Sequence, residues 1–155
     1  MVDCTIIPYH NHGCHGGWPY VALKYTKEKG ITNDIDYPYT ANSTGSCKIP
    51  TGSFKIEGYT NHSGCAALIS AISQAPVAVM VGATDWKNYK AGLFGQKECS
   101  RGNNINHSAL LVGLPNGKDW KVKNSWGTEW GEAGYIRMSA GNTCGICNYA
   151  GALPK

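Results

Sequence analysis

A histidine at position 107 and an asparagine at position 124 are the side chains of this 155-residue sequence whose setting best suits acid–base chemistry. His107 stands in Asn106-His107-Ser108, at the opening of the apolar run Ala109-Leu-Leu-Val112, and a strand end is a rigid platform for a reactive group. Past a turn at Pro115–Lys118 comes Trp120-Lys-Val-Lys-Asn124-Ser-Trp-Gly127, so an antiparallel hairpin returns Asn124 beside His107. An amide oxygen there accepts an imidazole N–H and fixes the tautomer and the ring angle, and the indole of Trp126 can shield that bond from water. A general base held by an orienting group is half of a nucleophilic triad. The same two residues also suit a packed polar pair with no catalytic role, and taken alone they leave both readings open.

The elements that must position this pair are read from periodicity. Residues 1–19 are loop-like, and Tyr20–Lys29 reads as a helix with Gly30 as its C-terminal stop. Residues 31–53 are extended and turning, and Phe54–Tyr59 is a short strand. Ser63 is placed to cap a second helix over Cys65–Ile72 that ends near Pro76. Val77–Val81 is a buried strand, followed by strands at Ser108–Leu114, Asp119–Lys123 and Gly134–Met138 between Gly and Asn turns. The chain is therefore α+β. A helix-and-loop part over residues 1–60 precedes a sheet part over 61–155 that carries His107 and Asn124, with a soft boundary near 59–75.

Composition excludes several classes. Hydrophobic residues make up 42% and charged residues 15%, well below the roughly 25% charged of an average domain, so a disordered or solvating tail is excluded. The net charge of +4 includes only two arginines, Arg101 and Arg137, and forms no basic block, which argues against a nucleic-acid partner. The longest apolar run, Ala75 to Ala83, is about half of what crosses a bilayer, and no membrane partner is expected. No secretory signal is visible at the start.

Seven cysteines spread from Cys4 to Cys147 favour disulfides in an oxidising compartment, and their number is odd. An exported thiol pattern without an export signal suggests that a segment precedes Met1. His10-Asn-His12-Gly-Cys14-His15 and Cys144-Gly-Ile-Cys147 form a rival metal-binding reading. A single C-x-x-C without a second pair at zinc-finger spacing is a weak signal, and no metal site is expected. Asn42-Ser-Thr44, Asn61-His-Ser63 and Asn106-His-Ser108 are glycosylation sequons, of consequence only in an exported chain.

Val2-Asp-Cys4, Gly13-Cys-His-Gly-Gly17, Tyr37-Pro-Tyr39, Ala75-Pro-Val77, Asn106-His107, Val122-Lys-Asn-Ser-Trp-Gly127, Trp130-Gly-Glu132 and Gly134-Tyr-Ile-Arg137 closely resemble, in order, the papain family of cysteine peptidases, cathepsins included. The resemblance runs over essentially the whole sequence. It implies a papain-like fold with an incomplete helical left domain and a complete antiparallel β-barrel-like right domain. It also implies that His107 is the imidazole of the catalytic ion pair, that Asn124 orients it, and that Trp126 covers their hydrogen bond. Gly17 matches the glycine whose backbone pairs with an extended substrate. Trp18, Pro19, Met80, Ile105 and Ser108 match positions of the main specificity pocket, which is then apolar.

By the same resemblance Cys4 pairs with Cys47 and Cys99 with Cys144, Cys14 matches a half-cystine whose partner lies upstream, and Cys65 and Cys147 either pair or remain thiols. The family's nucleophile is a cysteine in Cys-Gly-Ser-Cys-Trp, about 130–150 residues before the histidine. Counting back from His107 passes Met1, so the nucleophile and the oxyanion-hole glutamine are not in this sequence. Thr44-Gly-Ser-Cys47-Lys echoes the motif, but Cys47 lies too close to His107 and matches a disulfide position. The expected function is thus the C-terminal part of a papain-like cysteine endopeptidase, inactive as this chain alone and needing no cofactor. Its partner is a missing N-terminal segment or another chain covering the left-domain core, its substrate a peptide or protein, and its compartment lysosomal or extracellular. The alternative is a non-catalytic relative serving as a structural or binding subunit.

Overall fold

The computed structural model describes residues 1–99, 104–149 and 151–155, leaving Arg101 outside the described set. Two compact units result, Met1–Thr60 with Pro154–Lys155 and Asn61–Leu153, and the chain passes from one to the other within strands β1 (Tyr59–His62) and β7 (Gly151–Pro154).

The first unit is built on helix α1, Pro19–Lys29. Proline at the first helical position costs no hydrogen bond and already holds a helical φ. The helix stops at Gly30, whose φ of +77° is a conformation that L side chains rarely adopt, and whose N–H bonds the Thr26 carbonyl at 3.0 Å. α1 buries Val21, Tyr25 and Thr26, and the Tyr25 hydroxyl donates to the Pro50 carbonyl at 2.7 Å. Apolar burial here is thin, and polar ties replace it. Asp3 accepts from the Tyr37 and Ser43 hydroxyls and the Thr44 amide, fastening the 37–44 loop to the chain start beside the Cys4–Cys47 disulfide.

The second unit carries most of the seven-stranded sheet, in order β1-β7-β2-β4-β5-β6-β3. Here β2 is Val77–Val81, β3 Leu93–Phe94, β4 His107–Gly113, β5 Trp120–Lys123 and β6 Tyr135–Met138. Alternation drives the packing. Val77, Val79 and Val81 of β2, Trp120 and Val122 of β5, and Ile136 and Met138 of β6 face inward and are wholly buried. Helix α2, Cys65–Ile72, adds Leu68 and Ala71, and Trp86 from a 3-10 turn at Thr84–Asn88 completes the core.

Several expectations need correction. The strand expected at Phe54–Tyr59 is reduced to one bridge between Phe54 and Ile31, and regular pairing starts only at Tyr59. Ser63 does not cap α2: Gly64 occupies that position with φ +85°, and no side chain bonds the helix end. β2–β4, β4–β5 and β5–β6 are antiparallel as expected; β7, where no strand was expected, also joins β2 antiparallel, β3–β6 is parallel, and the sheet stays open with β1 and β3 at its edges.

Cys4 pairs with Cys47 and Cys99 with Cys144; Cys65 pairs with Cys147, settling the alternative left open above, and Cys14 is free and exposed. Three disulfides indicate a non-cytosolic, oxidising environment. Both thiols of the C-x-x-C are consumed by separate disulfides, so that pair does not serve as a metal ligand set. Among the described residues no group of His, Cys, Asp and Glu is arranged to hold a metal, and no helix is long and apolar enough to cross a membrane.

Candidate active site

The inward face of β5 continues past its last paired residue. Trp120 and Val122 point in, Lys121 and Lys123 point out, and Asn124 takes the next inward place, only 8% exposed. A carboxamide buried there needs partners. β4 supplies one: His107 shares its face with Ala109 and Leu111, and Leu110 and Leu111 pair with Lys123 and Val122 on β5. His107 Nε2 lies 2.8 Å from Asn124 Oδ1. The pair inferred from the hairpin is therefore formed.

One further bond fixes the roles. The backbone N–H of Ser125 lies 2.8 Å from the same Asn124 Oδ1, and an N–H can only donate, so the oxygen must face it. The imidazole Nε2 must then also donate to that oxygen. In the neutral ring this leaves the lone pair on Nδ1, which makes Nδ1 the basic nitrogen. Asn124 Nδ2 is left buried without a partner among the described residues, a cost of about 1–3 kcal/mol of the kind that functional sites carry.

Three indoles surround the bond. Trp126 lies over His107 with ring centroids 5.2 Å apart, and Trp86 meets the imidazole edge-on at 6.0 Å. Trp130 packs edge-on to Trp126 at 5.2 Å and stacks on Trp86 at 6.1 Å. The Trp130 indole N–H donates to the Trp86 carbonyl at 3.1 Å, and that of Trp86 donates to Cys144 Sγ at 3.2 Å. Trp126 is 42% exposed and Trp86 is wholly buried, so Trp126 is an outer cover and Trp86 the floor. The role of Trp86 was not legible in the sequence, where nothing in its spacing distinguishes it from an ordinary core indole.

Two devices hold the frame. Asn106 Oδ1 accepts the Ala83 N–H at 2.9 Å while its Nδ2 donates to Thr84 Oγ1 at 2.8 Å, fastening the start of β4 to the segment after β2. The 124–134 turn is closed by Asn124 N–H to the Gly134 carbonyl and Gly134 N–H to the Trp130 carbonyl. Gly131 sits in that turn at φ +58°, where a Cβ would meet the Tyr135 carbonyl oxygen at 2.5 Å.

Next to Gly131, Glu132 receives two bonds from Arg137, at 2.8 and 2.7 Å, and the Gly92 N–H at 2.9 Å. The Arg137 bonds first, then the Gly92 amide, pull the Glu132 carboxyl from its ordinary 4.5 down to about 2. A depressed carboxylate pKa adds stability above the ordinary value that is lost as pH falls from 4.5 through about 2. Glu132→Gln is therefore expected to lower Tm at pH 7 by about 2–4 °C and to flatten the loss of stability over that acid window. Thermal unfolding of both proteins at pH 7 and pH 3 checks it, the difference between them shrinking at the lower pH.

The residues matched to substrate binding fall in both units. In the second, Met80 and Ser108 are register partners across β2 and β4, and Ser108 Oγ lies 2.9 Å from Met80 Sδ; Ile105 is half-buried two residues before His107. In the first, Gly17, Trp18 and Pro19 stand at the entry to α1, where the Trp18 N–H donates to Asn11 Oδ1 at 2.8 Å.

The chain is similar in sequence and fold to known proteins. The papain family cysteine protease pattern matches residues 1–153. Cathepsin L 2 of Paramecium tetraurelia is 42% identical over 149 residues, covering 95% of this chain and 46% of that protein. Digestive procathepsin L 3 of the Tenebrio molitor larval midgut superimposes with a TM-score of 0.84 at 37% identity, over 99% of this chain and 53% of that one. The Carica candamarcensis cysteine protease CMS1MS2, solved in complex with E-64, gives 0.86 at 32% identity, over 99% and 75%. The chain spans about half the length of the curated relatives it matches. A family match that runs almost from end to end, on a fold that sets an imidazole against an amide under an indole, leaves one assignment: the chain belongs to the papain family of cysteine proteases.

Proposed function

We propose that this chain is the C-terminal part of a papain-like cysteine endopeptidase and supplies the imidazole half of its Cys/His/Asn site. The observation that carries the reading is the His107–Asn124 bond of 2.8 Å, with the proton directed to Nε2 and the basic lone pair to Nδ1. A thiolate on a segment outside this sequence attacks the peptide carbonyl, His107 gives its Nδ1 proton to the leaving amine, and the thioester is hydrolysed with His107 acting as base on water. Asn124 holds the ring through both half-reactions.

Gly17, Trp18, Pro19, Met80, Ile105 and Ser108 are proposed to contact the substrate, favouring an apolar side chain. The chain alone has no meaningful rate, because one lost oxyanion donor is already worth about 3–4 kcal/mol. Ile7 and Ile35, 86% and 92% exposed in the first unit, support a covering by the preceding segment or by a partner chain. The disulfides support a lysosomal or extracellular setting.

The test is labelling of the natural protein, with everything that co-purifies, by a thiol-reactive peptidyl epoxide. An adduct on a cysteine of a segment preceding this sequence or of a co-purifying chain is expected. No adduct anywhere overturns the peptidase reading and leaves the non-catalytic subunit, and an adduct on Cys47 or Cys14 overturns the division of the site.

A further inference from the structure

Of the three glycosylation sequons only Asn106-His107-Ser108 overlaps the proposed peptide-cleaving site, and the fold separates the three acceptor asparagines sharply. Asn106 is committed at both ends of its carboxamide, to the Ala83 amide and the Thr84 hydroxyl, directly before His107. A sugar on its nitrogen would displace Thr84 and unfasten the start of β4. Asn61 is exposed, but it is the third residue of strand β1, and its sequon runs on through His62, where that strand ends. Asn42 differs from both. It is exposed in irregular backbone, and its carboxamide has no hydrogen-bond partner among the described residues.

The loop around Asn42 is nevertheless held in place. The Ser43 hydroxyl and the Thr44 amide donate to Asp3 Oδ1 at 3.0 and 2.9 Å, and the Thr44 hydroxyl lies 3.3 Å from Asp3 Oδ2. The backbone on either side is thus anchored by groups other than the Asn42 side chain, and a large substituent on that side chain breaks none of these bonds.

We propose that Asn42 carries an N-linked oligosaccharide and that Asn106 does not. In the transfer, Asn42 Nδ2 forms a bond to the anomeric carbon of an oligosaccharide donated from a lipid pyrophosphate. The anomeric C–O bond to the pyrophosphate breaks, the lipid pyrophosphate leaves, and the amide nitrogen gives up one proton. An acceptor in open loop is reachable on the nascent chain and on the folded one, whereas an acceptor inside a strand is reachable only before the strand pairs; this sets Asn42 above Asn61. Exposure to the transferase requires an exported chain, which the three disulfides support independently of any peptidase activity.

The test is peptide mapping of the natural protein after treatment with peptide N-glycosidase in heavy-oxygen water, which marks each formerly glycosylated Asn by its conversion to an acid. Labelling of the peptide containing Asn42, with the Asn106 peptide unlabelled, is the expected result. An unlabelled Asn42 peptide, whatever the state of Asn61, overturns the proposal, and so does labelling of Asn106. In a secreting eukaryotic host, Asn42→Gln and Thr44→Ala should each remove one oligosaccharide from the intact mass while Thr44→Ser keeps it. Loss of the oligosaccharide in Asn42→Gln but not in Thr44→Ala would show attachment outside the sequon chemistry and would also count against it.

Discussion

His107→Ala lowers kcat/KM for a fluorogenic peptide amide by about 10⁴-fold or more in any preparation of this protein that cleaves one, and the loss falls on kcat. The size follows from what is removed. Without the imidazole there is no base to draw the proton from the thiol and no acid to protonate the leaving amine, and the two losses fall on one unit of machinery. Asn124→Ala removes the orienter but leaves the ring. Its cost is that of one charge-assisted hydrogen bond, about 1.5–3 kcal/mol, or roughly 10–10²-fold in rate. The order of the two effects is the informative part. If Asn124→Ala cost as much as His107→Ala, the two side chains would act as one inseparable unit and not as carrier and orienter of unequal weight; if His107→Ala retained activity, the proposed site would be wrong.

Trp86→Ala is expected to destabilise the sheet unit by about 3–5 kcal/mol, the usual range for a buried Trp cut to Ala, and to lower Tm by roughly 6–20 °C. The indole is wholly buried and stacks on Trp130 while its N–H reaches Cys144, and no rearrangement of one neighbour fills the space it leaves. Trp86→Phe keeps a ring against His107 and gives up only the N–H contact and part of the volume, so about 1–2 kcal/mol is expected. Trp126→Ala provides the contrast. With 42% of its surface already in water, it should cost little stability and act mainly on the rate by wetting the His107–Asn124 bond. Denaturant unfolding followed by far-UV circular dichroism separates the three, and a Trp86→Ala protein as stable as the parent would show that the indole cluster is not the floor of the site.

The parts of this fold that were legible in the sequence are those where one physical signal dominates. Val77–Val81 is an unbroken β-branched and apolar run, and it is a strand over those residues. Gly30 ends α1 as expected because a positive φ is demanded there, whereas Pro19, read as the last loop residue, is the helix's first. The His107–Asn124 pair followed from a hairpin whose turn lies at a proline and a glycine. Other features were set by partners remote in the chain. Leu93–Phe94 is a two-residue strand that exists only because β6 offers it an edge. Gly151–Pro154 contains a glycine, an alanine and a proline and carries no strand pattern of its own, yet it lies between β1 and β2. Phe54–Tyr59 had the opposite fate, since its alternating residues found a single bridge. Trp86 enters the site from a 3-10 turn, where periodicity gives no direction to a side chain.

Cys65–Cys147 and Cys99–Cys144 are nested, the second closed loop lying wholly inside the first. A backbone cut anywhere between 99 and 144 leaves two pieces joined by two covalent bridges, and a cut between 65 and 99 leaves them joined by one. The sheet unit can thus be nicked across most of its length without coming apart.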